Sequence, residues 1–165
     1  MMKTLIVYAT KHGSTEKAVG MLEGDLSGDV RVMNVDDAWG VDLEPFDHVI
    51  LGGPIYMGEL HEKLSAYAAR YQDTLLQKRV GLFICAGMED PFILQAELEN
   101  AYPEDLYEHA AVKEVFGYVL DFRQLKAQER KDLRINGVTE SEFKLSAPVI
   151  TEFALAMERG FVRKE

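Results

Sequence analysis

Thr4-Leu5-Ile6-Val7-Tyr8-Ala9-Thr10-Lys11-His12-Gly13-Ser14-Thr15 is the stretch that decides the fold. From Thr4 to Ala9 the run of branched and aromatic residues is unbroken, which suits a strand buried on both faces in a parallel sheet covered by helices. Polar residues and a glycine then lead directly into a helical pattern. Ala18, Val19, Leu22 and Leu26 share one face of it, and Gly28 supplies the stop.

Working outward, His48–Leu51 and Val80–Cys85 are further unbroken apolar runs, and Val30–Val35 and Val112–Leu120 mix in polar residues as edge strands do. Leu60, Leu64, Tyr67, Tyr71 and Leu75 recur at helical spacing and predict one helix of about four turns. Pro91–Ala101 and Glu104–His109 read as two more, and a last helix begins near Ser146 with Pro148 in its first turn. Strands alternating with helices imply a doubly wound α/β sheet. Two stretches interrupt the alternation. Asp36–Asp47 is acidic and loop-like. Asp121–Phe143 is too long for a simple turn, and its middle, Gln124–Arg134, predicts a surface helix.

Composition narrows the function. The chain has 165 residues, 47% of them hydrophobic, with 18 Lys plus Arg against 28 Asp plus Glu, a net charge of −10. That balance suits a globular domain with a real core and argues against nucleic-acid binding, which wants a basic face. The one cysteine, Cys85, allows no internal disulfide and no cysteine-rich zinc cage. No apolar run approaches the roughly 18–20 residues of a transmembrane helix, and the first residues lack a cleavage-like site. A cytoplasmic location is the expectation.

In an open α/β sheet the ligand lies beyond the carboxyl ends of the strands, where strand order reverses. Thr10-Lys11-His12-Gly13-Ser14-Thr15 follows the first strand and offers hydroxyls, a glycine and fresh N–H groups at a helix start, which is an anion site. The same residues also suit an ordinary turn with Ser14 as the N-cap. The loop has neither the Walker spacing nor the dinucleotide fingerprint. After the third strand, Gly52-Gly53-Pro54-Ile55-Tyr56-Met57-Gly58-Glu59 places large groups on a loop, either to meet a flat aromatic ligand or to pack on the next helix. After the fourth come Cys85-Ala86-Gly87-Met88-Glu89-Asp90-Pro91, in which Cys85 reads as an inert core residue. His12 lies by the anion loop, His61 starts a helix, His48 sits just inside a strand and His109 ends a helical stretch. None of the four has a metal-like partner set.

Taken together, the three loops resemble those of the flavodoxin-like FMN proteins, across nearly the whole chain. Thr10-Lys11-His12-Gly13-Ser14-Thr15 is similar to that family's Thr/Ser-x-Thr-Gly-x-Thr phosphate loop, with His12 in place of a threonine. Met57-Gly58-Glu59 is similar to the Met-Gly-acidic turn of clostridial-type flavodoxins. A closer resemblance is to the branch containing menaquinone-dependent protoporphyrinogen oxidase, whose second loop pattern matches Gly52, Ile55, Gly58 and His61, and which carries an insert where Asp121–Phe143 stands. That branch's insert is basic and apolar, whereas this one is polar with mixed charge.

The resemblance implies a single flavodoxin-like domain over 1–165 with an insertion at about 121–143, and a five-stranded parallel sheet in the order 2-1-3-4-5 with helices on both faces. It implies FMN as cofactor. Thr10, Lys11, His12, Gly13, Ser14 and Thr15 would hold the phosphate, and Pro54, Ile55, Tyr56, Met57 and Gly58 would lie along the ring. Ala86, Gly87, Met88 and Asp90 would cover its pyrimidine side. Gly58 would let the Met57–Gly58 peptide turn towards the flavin N5 on reduction. Glu59, Glu89 and Asp90 would lower the potential by like-charge repulsion. The function implied is electron transfer to a redox partner protein that docks on an acidic surface. The alternative is an FMN-dependent oxidoreductase of the protoporphyrinogen oxidase or quinone reductase type, using a small-molecule electron acceptor. A response-regulator receiver of the same fold is set aside, because Thr10-Lys11 and Gly52-Gly53 stand where it needs acidic residues.

Overall fold

A computed structural model describes residues 2–87 and 89–159. The first half runs β1 (Lys3–Tyr8), α1 (Ser14–Asp25), β2 (Asp29–Asn34), the one-turn α2 (Val35–Ala38), β3 (His48–Tyr56) and the short β4 (Glu59–Leu60). There follow α3 (Glu62–Arg70), α4 (Gln72–Leu75), β5 (Arg79–Cys85), α5 (Pro91–Ala101) and α6 (Glu104–His109). The chain then makes β6 (Val112–Val115), β7 (Val119–Leu120), α7 (Ala127–Ile135), β8 (Glu142–Phe143) and α8 (Ala147–Glu158). β2, β1, β3, β5 and β6 pair side by side in parallel. With β4 set aside this is the order 2-1-3-4-5 of the doubly wound, flavodoxin-like fold.

Side chains alternate across the pleat, so one apolar run feeds two cores. Leu5, Val7, Val49, Leu51, Leu82 and Ile84 pack on one face with Leu64, Tyr67 and Leu98 of α3 and α5. Ile6, Ile50, Phe83 and Cys85 pack on the other with Val19, Leu22, Ile150 and Phe153 of α1 and α8. Gly52 leaves the room that the Phe83 ring fills, since a Cβ there would lie 1.9 Å from Phe83 Cζ.

The structure differs from the sequence expectations at four places. Gly52–Tyr56 are not loop but continue β3, paired with β5 as far as Pro54 opposite Cys85. The expected loop shrinks to a hairpin tip in which Met57 and Gly58 both have positive φ, 52° and 80°, as a type I′ turn requires. The helix expected over Leu60–Leu75 contains Leu60 in β4 and breaks at Tyr71. There the ring lies tilted against that of Tyr67, with centroids 4.6 Å apart, and the hydroxyl accepts the Gly40 N–H at 2.9 Å. Ser14 is not the N-cap of α1; Gly13 takes that position with φ 87°, and Ser14 is the first helical residue.

The fourth difference matters most for function. The edge strand expected over Val112–Leu120 breaks at Gly117, whose φ of 93° turns the chain out of the sheet. β7 then pairs antiparallel with β8, Val119 opposite Phe143 and Leu120 opposite Glu142. Between them lie a 3-10 turn at Phe122–Gln124 and α7, which buries none of its residues. Arg130 donates to the carbonyls of Phe122 and Leu125, at 3.2 and 2.8 Å, and so fixes α7 against that turn.

Candidate functional site

The carboxyl ends of β1, β3 and β5 open into one cavity of 180 Å³. Thr10, Lys11, His12 and Ser14 form one wall, from the loop that leaves β1. Pro54, Ile55 and Tyr56 come from the end of β3, and Cys85, Ala86 and Gly87 from the end of β5. Tyr118, Val119 and Leu120, beyond Gly117, close the remaining side.

The loop after β1 is organised by its own backbone. The Thr10 hydroxyl accepts the Gly13 N–H at 3.0 Å, which tightens the turn. Gly13 offers no side-chain cap to α1, so N–H groups of the first helical turn remain as donors at the positive end of the helix dipole. Lys11 turns towards the second loop, its Nζ 3.2 Å from the centre of the Tyr56 ring. His12 turns the other way, its Nε2 2.9 Å from Glu129 Oε2 on α7. Ser14 is tied to β7: its hydroxyl donates to the Val119 carbonyl at 2.6 Å and accepts the Val119 N–H at 2.9 Å.

Beneath this loop Thr15 is buried against Cys85. Burial pushes the Cys85 thiol up to about 12, an effect the Thr15 hydroxyl only partly offsets. A thiol held protonated in this way is a packing group rather than a nucleophile.

Gly13, Thr15, Met57, Gly58 and Asp90 are not among the residues that line the cavity. Met57 projects from the hairpin tip, 86% exposed. The Asp90 carboxylate accepts the Phe92 N–H at 2.8 Å and caps α5. Met88 lies outside the described residues. His61 caps α3, its Nδ1 accepting the Lys63 N–H at 3.3 Å, and His109 Nε2 lies 2.6 Å from the Lys78 carbonyl. Among the described residues there is no cluster of three or more His, Cys, Asp or Glu suited to a metal ion.

Sequence reasoning missed Tyr118, Val119, Leu120 and Glu129. Gly117 was the available signal, because a glycine within a strand pattern marks a bend or a close backbone approach. Tyr118 stands over Gly87, where an added Cβ would lie 3.4 Å from its ring, and its hydroxyl donates to the Glu142 carboxylate. Burial first, and then that carboxylate, push the Tyr118 phenol up to about 12. A second groove of 410 Å³ adjoins the cavity and shares Ala86, Gly87 and Tyr118 with it. Leu94, Val115 and Lys144 extend its lining.

No described helix is long and apolar enough to cross a membrane. Among curated proteins, none matches this sequence. Among solved structures, the chain is similar to a flavodoxin of Fusobacterium nucleatum determined with flavin mononucleotide bound. The identity is 19%, covering 98% of this chain and all (100%) of that one, with a TM-score of 0.55. It is also similar to Megasphaera elsdenii flavodoxin in its two-electron reduced form, at 17% identity over 95% of this chain and 99% of that one, with a TM-score of 0.60. Oxidised flavodoxin 1 of Bacillus cereus matches at 15% identity over 97% and 99%, with a TM-score of 0.58. At such identities these likenesses speak for the fold. The sequence itself matches the flavodoxin domain model over residues 5–141, a span that holds all three strand-end loops and most of the segment beyond Gly117, and on that match the chain belongs to the flavodoxin domain family.

Proposed function

We propose that the protein binds FMN in the cavity at the carboxyl ends of β1, β3 and β5 and works as a cytoplasmic electron carrier. One observation carries this reading: the three strand-end loops converge on a single cavity that is rich in donors at one end and apolar at the other. The donor chemistry fits a phosphate, since uncapped N–H groups of α1 stand beside Lys11 and His12. The enclosed 180 Å³ is less than the roughly 300–1,000 Å³ of pockets that enclose a ligand of this size.

FMN, when bound, supplies one- and two-electron chemistry that no side chain here can supply. The chain's own residues bind and orient it. Thr10, Lys11 and His12 would hold the phosphate end, and Ile55, Tyr56, Ala86 and Gly87 would hold the ring. Gly58, already at positive φ, leaves the hairpin tip free to reorient beside it. Met57 at the hairpin tip and Phe92 in the first turn of α5 are both 86% exposed, and Glu59, Glu89 and Asp90, close to them in sequence, are exposed carboxylates. An apolar centre with an acidic rim suits a basic redox partner, and the rim disfavours additional negative charge on the ring.

The test is reconstitution. Purified apoprotein titrated with FMN is expected to quench flavin fluorescence stoichiometrically and turn yellow, and a protein that stays colourless overturns the reading. Steep salt dependence of electron transfer to a partner protein is the accompanying expectation.

A second reading, an FMN-dependent oxidoreductase of the protoporphyrinogen oxidase or quinone reductase type, is favoured by one observation. The 410 Å³ groove beside the cavity has an apolar wall of Leu94 and Val115 with Lys144 at its edge, room for a small acceptor. Turnover of a quinone or porphyrinogen by the reconstituted protein would select it.

A further inference from the structure

The anion end of the cavity is engaged by the chain's own groups. His12 Nε2 meets Glu129 Oε2 at 2.9 Å, and the two side chains are 26% and 25% exposed. Two residues on, Ser14 is fastened to the same segment by its paired hydrogen bonds with Val119. Glu129 is itself held in place. Its Oε1 accepts the Lys126 N–H at 3.1 Å at the start of α7, and Arg130 pins that helix start to the turn before it. The Lys126 N–H, and then His12 and Lys11, hold the Glu129 carboxyl below its ordinary range, so it carries charge. Lys11 meanwhile has its ammonium over the Tyr56 ring rather than on the loop. A negative group is therefore delivered, by a helix outside the sheet, to the His12 imidazole that stands next to the uncapped start of α1.

We propose that Glu129 is a built-in competitor for the phosphate subsite, and that the segment from Gly117 to Ser146 is a clasp which phosphate releases. The proposal rests on the FMN reading above, and concerns what regulates entry to that site. Phosphate and carboxylate cannot both use His12 without two like charges close together. In partly exposed surroundings such a pair repels by an amount that salt reduces but does not abolish. When a phosphate takes the loop, Glu129 withdraws, the His12 link between the loop and α7 opens, and the hold on that helix loosens.

Glu129→Gln keeps the shape and the Lys126 hydrogen bond and removes the charge. The variant and the unaltered protein are titrated with FMN and with riboflavin, which lacks the phosphate, by quenching of flavin fluorescence. FMN is expected to bind the variant about two- to fivefold more tightly, the size of a partly exposed charge effect, with riboflavin unchanged. Inorganic phosphate is expected to raise the melting temperature of the variant more than that of the unaltered protein. In the unaltered protein it is also expected to speed amide hydrogen exchange across 127–135. Equal or weaker FMN binding by the variant, or tightening of FMN and riboflavin alike, overturns the proposal. If neither flavin binds either form, the FMN reading fails, and the inorganic phosphate arm then decides the competitor alone. Equal melting shifts overturn it, and a larger shift in the variant upholds it.

Discussion

Replacing Gly117 by alanine tests whether the turn out of the sheet builds the site. Its φ of 93° is left-handed, which costs an alanine about 1–2 kcal/mol. An added Cβ would lie 2.0 Å from the Lys144 carbonyl oxygen and 3.0 Å from its carbon. That neighbour is backbone, so no rotamer change relieves the overlap and the strands must part. Three hydrogen bonds cross this point: Ala86 N–H to Gly117 O at 3.0 Å, Lys144 N–H to Tyr118 O at 2.8 Å and Ser146 N–H to Phe116 O at 3.0 Å. Each is worth about 1 kcal/mol net, so losing two of them on top of the strain gives about 3–4 kcal/mol. Gly137→Ala is the control, since Gly137 also has positive φ, 86°, but an added Cβ there meets nothing within 4 Å. It should cost only the strain, about 1–2 kcal/mol. Urea unfolding followed by circular dichroism measures both, and a flavin titration of Gly117→Ala should show weakened binding as the wall of Tyr118, Val119 and Leu120 shifts. Equal losses in the two variants, or unchanged flavin affinity in Gly117→Ala, would refute the reasoning.

Ser14→Ala removes both hydrogen bonds to Val119 and leaves that backbone pair unsatisfied, so unfolding should show a loss of about 1–3 kcal/mol. Recovery of full stability would mean that water replaces the hydroxyl without cost. Cys85, buried and with its thiol pushed up to about 12, should resist thiol reagents at pH 8 in the folded protein and react once it is unfolded. Rapid labelling of the native state would contradict this. His48 is buried, and burial first, then Arg79, hold its imidazole below the ordinary value. The unfolded chain therefore takes up a proton before the folded one. This contribution to stability is intact above about pH 6.5 and is lost as pH falls from there towards the lowered folded value. His48→Gln should flatten that slope, and an NMR titration placing His48 at or above its ordinary value would remove its basis.

The legible part of this protein follows from local rules. Strands buried on both faces have to be apolar without interruption, so Thr4–Ala9 and Val80–Cys85 declared themselves. Ser146, the cap of α8, stood where the last helical pattern began, whereas Asp90, expected over the flavin, turned out to cap α5. The loop after β1 could be singled out as a candidate anion site because its chemistry is contained within six consecutive residues. Where several packing partners compete, local rules stop working. Tyr71 sits in a perfect helical repeat, yet its ring contacts with Tyr67 and Trp39 and its bond to Gly40 end the helix there. Gly52–Tyr56 have the composition of a loop, yet the space above Gly52 is filled by Phe83 and the strand continues.

The sequence by itself determined the buried strands and the helices between them, because periodicity needs no knowledge of distant contacts, while the strand order came from the resemblance of the three loops. Only the tertiary structure decided which groups meet at the strand ends. His12 and Glu129 are 117 positions apart, and Ser14 and Val119 are separated by 105. No spacing rule links residues so distant. They meet because Gly117 turns the chain back over the loop and β7 pairs with β8. The loop after β1 was therefore visible in the sequence, while the carboxylate that meets His12 was not.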